Sequence, residues 1–222
     1  CKVALFDRSG CVLAAANGDY PVYYPKEGWA EQNPEEWWSA VCGAVRQVIE
    51  EASVAPEEIA GVGIDGQSWS AIAIDRNGHV LTNTPIWMDT RAQSICDRLN
   101  EEIGAEAIFE VAGNSLQPSY ATAKILWYKE NLPEVYAKID KILQSNSFIA
   151  FKLTGAVSQD LSQGYGLHCF DMRTGKWNEA MCEKLGIPVE FLPEIVPCDH
   201  VVGTVTKKAA EECRSEEHTS EL

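Results

Sequence analysis

The stretch GVGIDGQSWSAIAIDRNGHVL, residues 61–81, decides the fold. Two runs with apolar side chains, 59–65 and 69–75, are predicted as strands joined by the turn Gly66-Gln67-Ser68. The dipeptide Asn77-Gly78 then favours a tight hairpin turn into a further extended piece. Extended segments separated by such turns predict part of a sheet.

The flanking sequence predicts helices around that sheet. Apolar runs at 2–6 and 12–16 surround a polar turn and predict an opening hairpin, followed by an extended piece at 20–24. Asn33 followed by Pro34 is typical of a helix start, and Asp89 is predicted to cap a second helix. Further helices are predicted at 105–111, 122–131, 134–138, 147–153 and 177–185, with a short strand at 141–144. This order predicts a mixed α/β sheet flanked by helices.

Composition excludes several classes of protein. The 222 residues carry a net charge of -15, which disfavours binding to nucleic acid and to acidic membrane surfaces. No apolar run is long enough to span a bilayer, and no charged-then-apolar leader opens the chain. The eight cysteines include no C-x-x-C pair, so reduced thiols and a cytoplasmic location are expected.

The turn Gly66-Gln67-Ser68-Trp69 is the first candidate binding element. Polyols are recognised by hydrogen bonds to their hydroxyl groups and by an apolar wall against their C–H face. Gln67 and Ser68 supply donors and acceptors, and Trp69 supplies a wall with a polar N–H tip. A hairpin turn with one packed tryptophan fits the same residues equally well.

The segment Trp87–Arg91 is the second candidate element. Trp87 is suited to stacking on a substrate, although a core position is commoner for such a residue. Asp89 is predicted chiefly as a helix cap. Arg91 is unfavourably placed for the helix dipole, which indicates a local partner, either a carboxylate or a sugar hydroxyl.

Several of these motifs, taken in order, resemble the FGGY carbohydrate kinases, within which the spacing is most similar to xylulokinases. The similarity covers about residues 1–210. The segments that carry it are GWAEQNPEEWW (28–38), GIDGQSWSAIAID (63–75), PIWMDTRA (85–92), AKILWYKEN (123–131) and the run 145–177. Ser68-Trp69 departs from the Met-His typical of xylulokinases, and Ala121 replaces the usual Pro, Ser or Thr.

The resemblance implies a fold and an activity. The fold would be the actin/hexokinase-like (ribonuclease H-like) N-terminal domain over residues 1–213, lacking its first strand. Independently of the resemblance, the polar, aperiodic stretch RSEEHTSEL at 214–222 is expected to be a non-native tail, because its back-translation matches a common sequencing-adapter oligonucleotide. The activity would be ATP-dependent phosphorylation of a ketose or polyol, with D-xylulose expected. The substrate-binding residues would be Gln67, Ser68, Trp69, Trp87, Asp89 and Arg91.

The resemblance also implies what other parts of the protein supply. ATP and Mg2+ would be bound mainly outside this chain, and the catalytic aspartate would follow its C-terminal end, so the fragment alone is predicted to be inactive. The partners would be a small sugar and ATP, with no nucleic acid or membrane, and a homodimer of the full-length protein is a further expectation.

Other substrates and other classes stay open. Ribulose, glycerol and gluconate are alternative substrates. A glycoside hydrolase using paired carboxylates such as Asp65 and Asp89 is a different class, as is a non-catalytic sugar sensor. If the resemblance does not hold, Asp65 and Asp160 are both candidate bases, although a turn carboxylate is the commoner role for each.

Overall fold

The computed structural model describes residues 1–214, and the tail predicted at 214–222 lies outside that range except for its first residue. The strands, β1 to β10 in chain order, are Lys2–Phe6, Val12–Asn17, Glu31–Gln32, Ile72–Ile74, Thr84–Pro85, Lys141–Leu143, Ser158–Asp160, Phe170–Asp171, Lys176–Trp177 and Glu194–Val196. The helices, α1 to α9, are Pro34–Ala52, Gln93–Leu99, Ala105–Ala112, Ala121–Asn131, Pro133–Tyr136, Ser145–Thr154, Leu161–Gly164, Glu179–Leu185 and Lys207–Arg214. A π-helical turn, Asn100–Gly104, joins α2 to α3, and 3-10 turns lie at Pro56–Glu58 and Val189–Phe191.

The opening hairpin and the first long helix form as predicted. Strands β1 and β2 pair antiparallel, and the Asp7 carboxylate accepts the N–H groups of Ser9 and Cys11 in the turn between them. The Asn33 side chain accepts the N–H of Glu35 at the start of α1. Helix α1 then covers the hairpin, since a small apolar cluster joins the two elements.

The remaining strands are short and pair two by two. Among the described residues β3 pairs with β5, β4 with β6 and β8 with β9, all antiparallel, while β7 and β10 pair parallel. The β4 side chains, Ile72, Ala73 and Ile74, are buried and divide between two large apolar clusters. The predicted mixed α/β arrangement flanked by helices is therefore confirmed, with β4 and β6 at its centre.

The predicted strand at 59–65 is wrong. These residues form no ladder hydrogen bonds with any described strand, and Val62 is 61% exposed. A strand is stabilised by a paired neighbour, and alternation of apolar residues does not show whether one is present. For the same reason the predicted strand at 69–75 shortens to Ile72–Ile74, and the extended piece at 20–24 makes a single bridge, from Tyr23 to Glu31.

Other boundaries shift by a few residues. The helix predicted after Asp89 begins at Gln93, and the helix predicted from Trp177 begins at Glu179, because Trp177 lies in β9. Within residues 1–214, no helix combines the length and the low polarity that crossing a bilayer requires.

Candidate substrate site

The turn from Gly66 to Trp69 is fixed to the start of α6. The Ser145 hydroxyl donates to the Gln67 carbonyl at 2.6 Å, and the Gln67 amide donates to the Gln32 side chain at 2.9 Å. Both Gln67 and Ser68 are partly exposed, so polar side chains of this turn reach solvent. The chain bends at Ser68, but the predicted strand-to-strand turn does not form, because residues 59–67 before it form no strand and β4 begins only at Ile72. Contact with helix α6 sets the position of residues 66–69 instead.

Gly66 permits this close approach, which gives a testable prediction. A Cβ added at Gly66 would lie 2.9 Å from the backbone nitrogen of Asn146 and would also clash with the Ser145 hydroxyl. Gly66→Ala is therefore expected to lower the free energy of unfolding by about 1–3 kcal/mol, as overpacking does. Urea unfolding measures the change.

The matched control is Gly63→Ala, since a Cβ at Gly63 meets no atom within 4 Å. This control is expected to change stability by no more than about 0.5 kcal/mol. Equal effects of the two substitutions would show that the turn does not depend on contact with α6.

Trp69 forms one wall of the candidate site and has an unusual backbone. Its φ is +70°, a left-handed value that only one other non-glycine among residues 1–214 adopts. The backbone N–H of Trp69 donates to the side-chain oxygen of Gln144 at 3.0 Å. The indole stacks on Tyr120, with 4.4 Å between ring centroids, and meets the edge of Tyr165 at 6.3 Å. The wall predicted from Trp69 alone is therefore a group of three aromatic rings.

The segment Trp87–Arg91 divides into an exposed and a buried part. Trp87 is 51% exposed, so it is not a core residue. Asp89 is fully buried and accepts the N–H of Ala30 at 2.7 Å, together with the backbone and side-chain N–H groups of Arg91. Arg91 also binds Glu31 at 2.8 Å, and its guanidinium lies 3.8 Å from the centre of the Trp29 ring.

These contacts correct one prediction and decide another. Asp89 does not cap helix α2, which starts after Ala92 with no capping side chain, because its carboxylate is taken up by Ala30 and Arg91. Of the two partners predicted for Arg91, a carboxylate or a sugar hydroxyl, the structure shows carboxylates, those of Asp89 and Glu31. The polar atoms of Asp89 and Arg91 are thus engaged by each other, by Ala30 and by Glu31, whereas Trp87 is half-exposed.

The two predicted elements lie next to each other. The Lys124 ammonium donates both to the carbonyl of Trp69 and to that of Ile86, which precedes Trp87. Gln67, Ser68, Trp69 and Tyr120 are partly exposed and Trp87 is exposed, so side chains of both elements reach solvent. Sequence reasoning did not assign Tyr120, Tyr165, Gln144 and Lys124 to the site, although Lys124 and Tyr165 lie in segments that carry the resemblance, because their contacts with Trp69 join residues far apart in the chain.

His168 is buried next to the aromatic wall. Its ring lies 4.9 Å from that of Tyr120, its Nδ1 lies 3.0 Å from the Thr122 hydroxyl, and its Nε2 lies 3.2 Å from the Ser115 carbonyl. Since a carbonyl only accepts, Nε2 carries the hydrogen of the neutral ring. Burial lowers the pKa of His168 to about 4.

This pKa predicts a loss of stability in mild acid. Between the ordinary pKa of 6.5 and about 4, the unfolded chain binds a proton at residue 168 that the folded chain does not, so stability falls as the pH falls. Over this range the free energy of unfolding of the wild type is expected to fall by up to about 1.4 kcal/mol per pH unit more than that of His168→Gln. Urea unfolding at several pH values measures it, and parallel pH profiles for the two proteins would contradict it.

The carboxylates considered as alternative bases or as hydrolase residues bind nearby backbone N–H groups. The Asp65 carboxylate accepts the N–H of Gly66, and Asp160 accepts N–H groups at the start of α7 as its N-cap. Because Asp89 is enclosed by its ion pair, the hydrolase pairing of Asp65 with Asp89 lacks an accessible second carboxylate. Among residues 1–214, no three or more His, Cys, Asp or Glu side chains gather as metal ligands.

Comparison with known proteins identifies the class and then the family. The fold is of the actin/hexokinase-like class: a xylulose kinase structure from Lactobacillus acidophilus superimposes with a TM-score of 0.88 at 25% identity, over 98% of this chain and 44% of that one. The model of the FGGY family of carbohydrate kinases, N-terminal domain, matches residues 1–218. The chain therefore belongs to the FGGY carbohydrate kinases.

Relatives within the family differ in their named substrates. A xylulose kinase from Bacillus subtilis is 27% identical, over 94% of this chain and 42% of its own length. A glycerol kinase from Carboxydothermus hydrogenoformans is 31% identical, over 91% of this chain and 42% of its own length. The chain thus spans about two-fifths of the curated relatives that it matches.

Proposed function

We propose that the chain provides the sugar-binding part of an ATP-dependent kinase that phosphorylates a ketose or polyol, with D-xylulose as the expected substrate. Membership of a family of carbohydrate kinases supports the reaction class. The substrate is a proposal of its own, because the relatives include both xylulose and glycerol kinases.

The observation that carries the proposal is an aromatic wall beside unpaired buried polar atoms. The indole nitrogen of Trp69 is buried and has no hydrogen-bond partner among the described residues, and the same holds for the side-chain oxygens of Gln163 and Asn114. Gln144, which accepts the backbone N–H of Trp69, also donates to the backbone carbonyl of Gln163, and the Asn114 amide donates to the backbone carbonyl of Tyr165. A sugar combines a C–H face for the rings with hydroxyls that satisfy such atoms.

In this proposal the chain binds and orients the sugar. Phosphoryl transfer to a hydroxyl depends on positioning, on an acceptor for the hydroxyl proton and on cations around the phosphates. The indole N–H of Trp69 and the side chains of Gln67 and Ser68 would hold the hydroxyls, and the rings would exclude water from one face. ATP and Mg2+ would bind mainly through residues outside this chain, where the proton acceptor is also expected.

The aromatic wall favours a pentulose over glycerol. A five-carbon ketose presents a longer carbon chain, and so more C–H surface, to Trp69 and Tyr120 than glycerol does. D-xylulose is therefore expected to be preferred over glycerol.

The test is an assay of the complete protein with ATP and Mg2+ on D-xylulose, D-ribulose, glycerol and gluconate. The highest kcat/KM is expected with D-xylulose, whereas purified residues 1–222 alone are expected to give no sugar-dependent ATP hydrolysis. Preference for glycerol would reject the proposed substrate, and lack of phosphorylation of all four compounds would reject the proposed function.

A further inference from the structure

Lys124 is a charged side chain in the interior of the fold. It lies on α4, is fully buried, and donates from Nζ to the carbonyls of Trp69 at 2.7 Å, Ile86 at 3.0 Å and Ser119 at 2.6 Å. An ammonium has three N–H donors, so these three acceptors use all of them. Burial of such a charge is costly unless it is compensated in this way.

The three carbonyls belong to three separate segments of the candidate site. One is that of Trp69 itself, and the other two belong to the residues immediately before Trp87 and Tyr120. One ammonium therefore sets the relative positions of the three aromatic side chains that border the site. A lysine acting only as a core residue would not need acceptors from three segments that all carry aromatic site residues.

Trp69 needs such support because its backbone is strained. A left-handed φ at a non-glycine residue costs on the order of 1–3 kcal/mol and persists only when the surroundings enforce it. Gln144 holds the N–H of Trp69, and Lys124 holds its carbonyl, so the residue is fixed on both sides. Releasing the carbonyl would let the Trp69 backbone relax and move the indole away from Tyr120.

The charge balance around Lys124 also favours a fixed arrangement. Desolvation lowers the pKa of Lys124 to about 7, while Asp89 opposes that shift and Arg91 reinforces it. Asp89 and Arg91 belong to the second site element and are paired with each other. The ammonium is thus linked electrostatically, as well as by hydrogen bonds, to the segment that carries Trp87.

We propose that Lys124 is a positioning residue of the substrate site, because its ammonium holds the carbonyl of Trp69 and the carbonyls that immediately precede Trp87 and Tyr120. The proposal rests on the function proposed above for the Trp69 turn. It predicts that changes at Lys124 disturb the geometry of the aromatic wall and sugar binding more than they disturb the stability of the fold.

The experiment compares Lys124→Met and Lys124→Arg with Lys129→Met in the 222-residue chain. Lys129 is on the same helix but exposed, and within residues 1–214 its ammonium reaches only the Gly186 carbonyl, at 3.5 Å, and the Tyr136 ring. Near-ultraviolet circular dichroism reports the Trp69–Tyr120 stack, with its contribution defined by Tyr120→Leu. Saturation-transfer NMR gives the affinity for D-xylulose, and thermal unfolding gives stability.

Lys124→Arg keeps the charge and the donors but changes their geometry. It is expected to fold, to lose most of the stack signal, and to bind D-xylulose about tenfold or more weakly. Lys124→Met is expected to show the same losses together with lower stability, and Lys129→Met to match the wild type. If Lys124→Arg keeps both the stack signal and the affinity, or if both Lys124 variants fail to fold, the positioning role is rejected.

Failure of the proposed function gives a different result. If wild-type chain does not bind D-xylulose, the proposed substrate role of this chain is in question, but the stack signal still reports on Lys124. A stack signal that depends on Lys124 without any sugar binding would support the geometric part of the proposal and reject its functional part.

Discussion

Arg91→Met is expected to lower the free energy of unfolding by about 3–5 kcal/mol, the effect of leaving a buried charge without its partner. The Arg91 side chain is 3% exposed and that of Asp89 is 0% exposed. Loss of the guanidinium would leave the Asp89 carboxylate with two backbone N–H donors, from Ala30 and residue 91, and would remove the ion pair of Glu31. Contacts of the guanidinium with the Trp29 and Trp127 rings would be lost as well.

The control for this prediction is Arg173→Met. Arg173 pairs with Glu110 at the surface, where the two side chains are 74% and 59% exposed. Such pairs contribute about 0–1 kcal/mol, so this variant should remain close to the wild type. Denaturant unfolding measures both, and an Arg91 variant as stable as the Arg173 variant would show that the buried pair does not hold the second site element in place.

Trp69→Leu is expected to weaken binding of D-xylulose roughly ten- to a hundredfold, the equivalent of losing about 1.5–3 kcal/mol of apolar contact. Leucine keeps an unbranched Cβ, and so the backbone strain at φ +70° is unchanged. The stack with Tyr120 would be lost, which is expected to reduce stability by about 0.5–1.5 kcal/mol. Affinity is therefore expected to fall more than stability does.

Trp69→Tyr is the matched control because it keeps an aromatic ring at the same position. Its affinity for D-xylulose, measured by saturation-transfer NMR, is expected to lie between those of the wild type and of Trp69→Leu. If leucine binds the sugar as well as tryptophan does, the ring at position 69 is not the wall of the site.

The turn chemistry of the sequence predicts local structure well. Asn33 caps α1, and the chain turns at Asn77-Gly78 so that Ile74 bridges Val80, because each of these signals acts over a few neighbouring residues. The strand predicted at 59–65 fails because a strand depends on a partner elsewhere in the chain. Local patterns carry no information about that partner.

For the site as well, the sequence predicts features that depend on neighbouring residues but not the contacts between residues far apart in the chain. Polar and aromatic residue types at 67–69 and 87–91 predict a binding surface, and the two elements do lie side by side. The pairing of Arg91 with Glu31, which is distant in sequence, and the contacts of Lys124 and Tyr120 depend on tertiary packing. The resemblance to a family indicated the class of ligand, while the roles of buried charges became visible only in three dimensions.

The most direct test of a single sugar site formed by the two elements is a titration of the chain with D-xylulose, followed by the indole N–H signals of its seven tryptophans. Tryptophan-to-phenylalanine variants assign the signals. The signals of Trp69 and Trp87 are expected to shift together with one dissociation constant, while that of Trp38, which binds Glu212 in another part of the fold, stays in place. Shifts confined to Trp38, or no shift of either Trp69 or Trp87, would contradict this account.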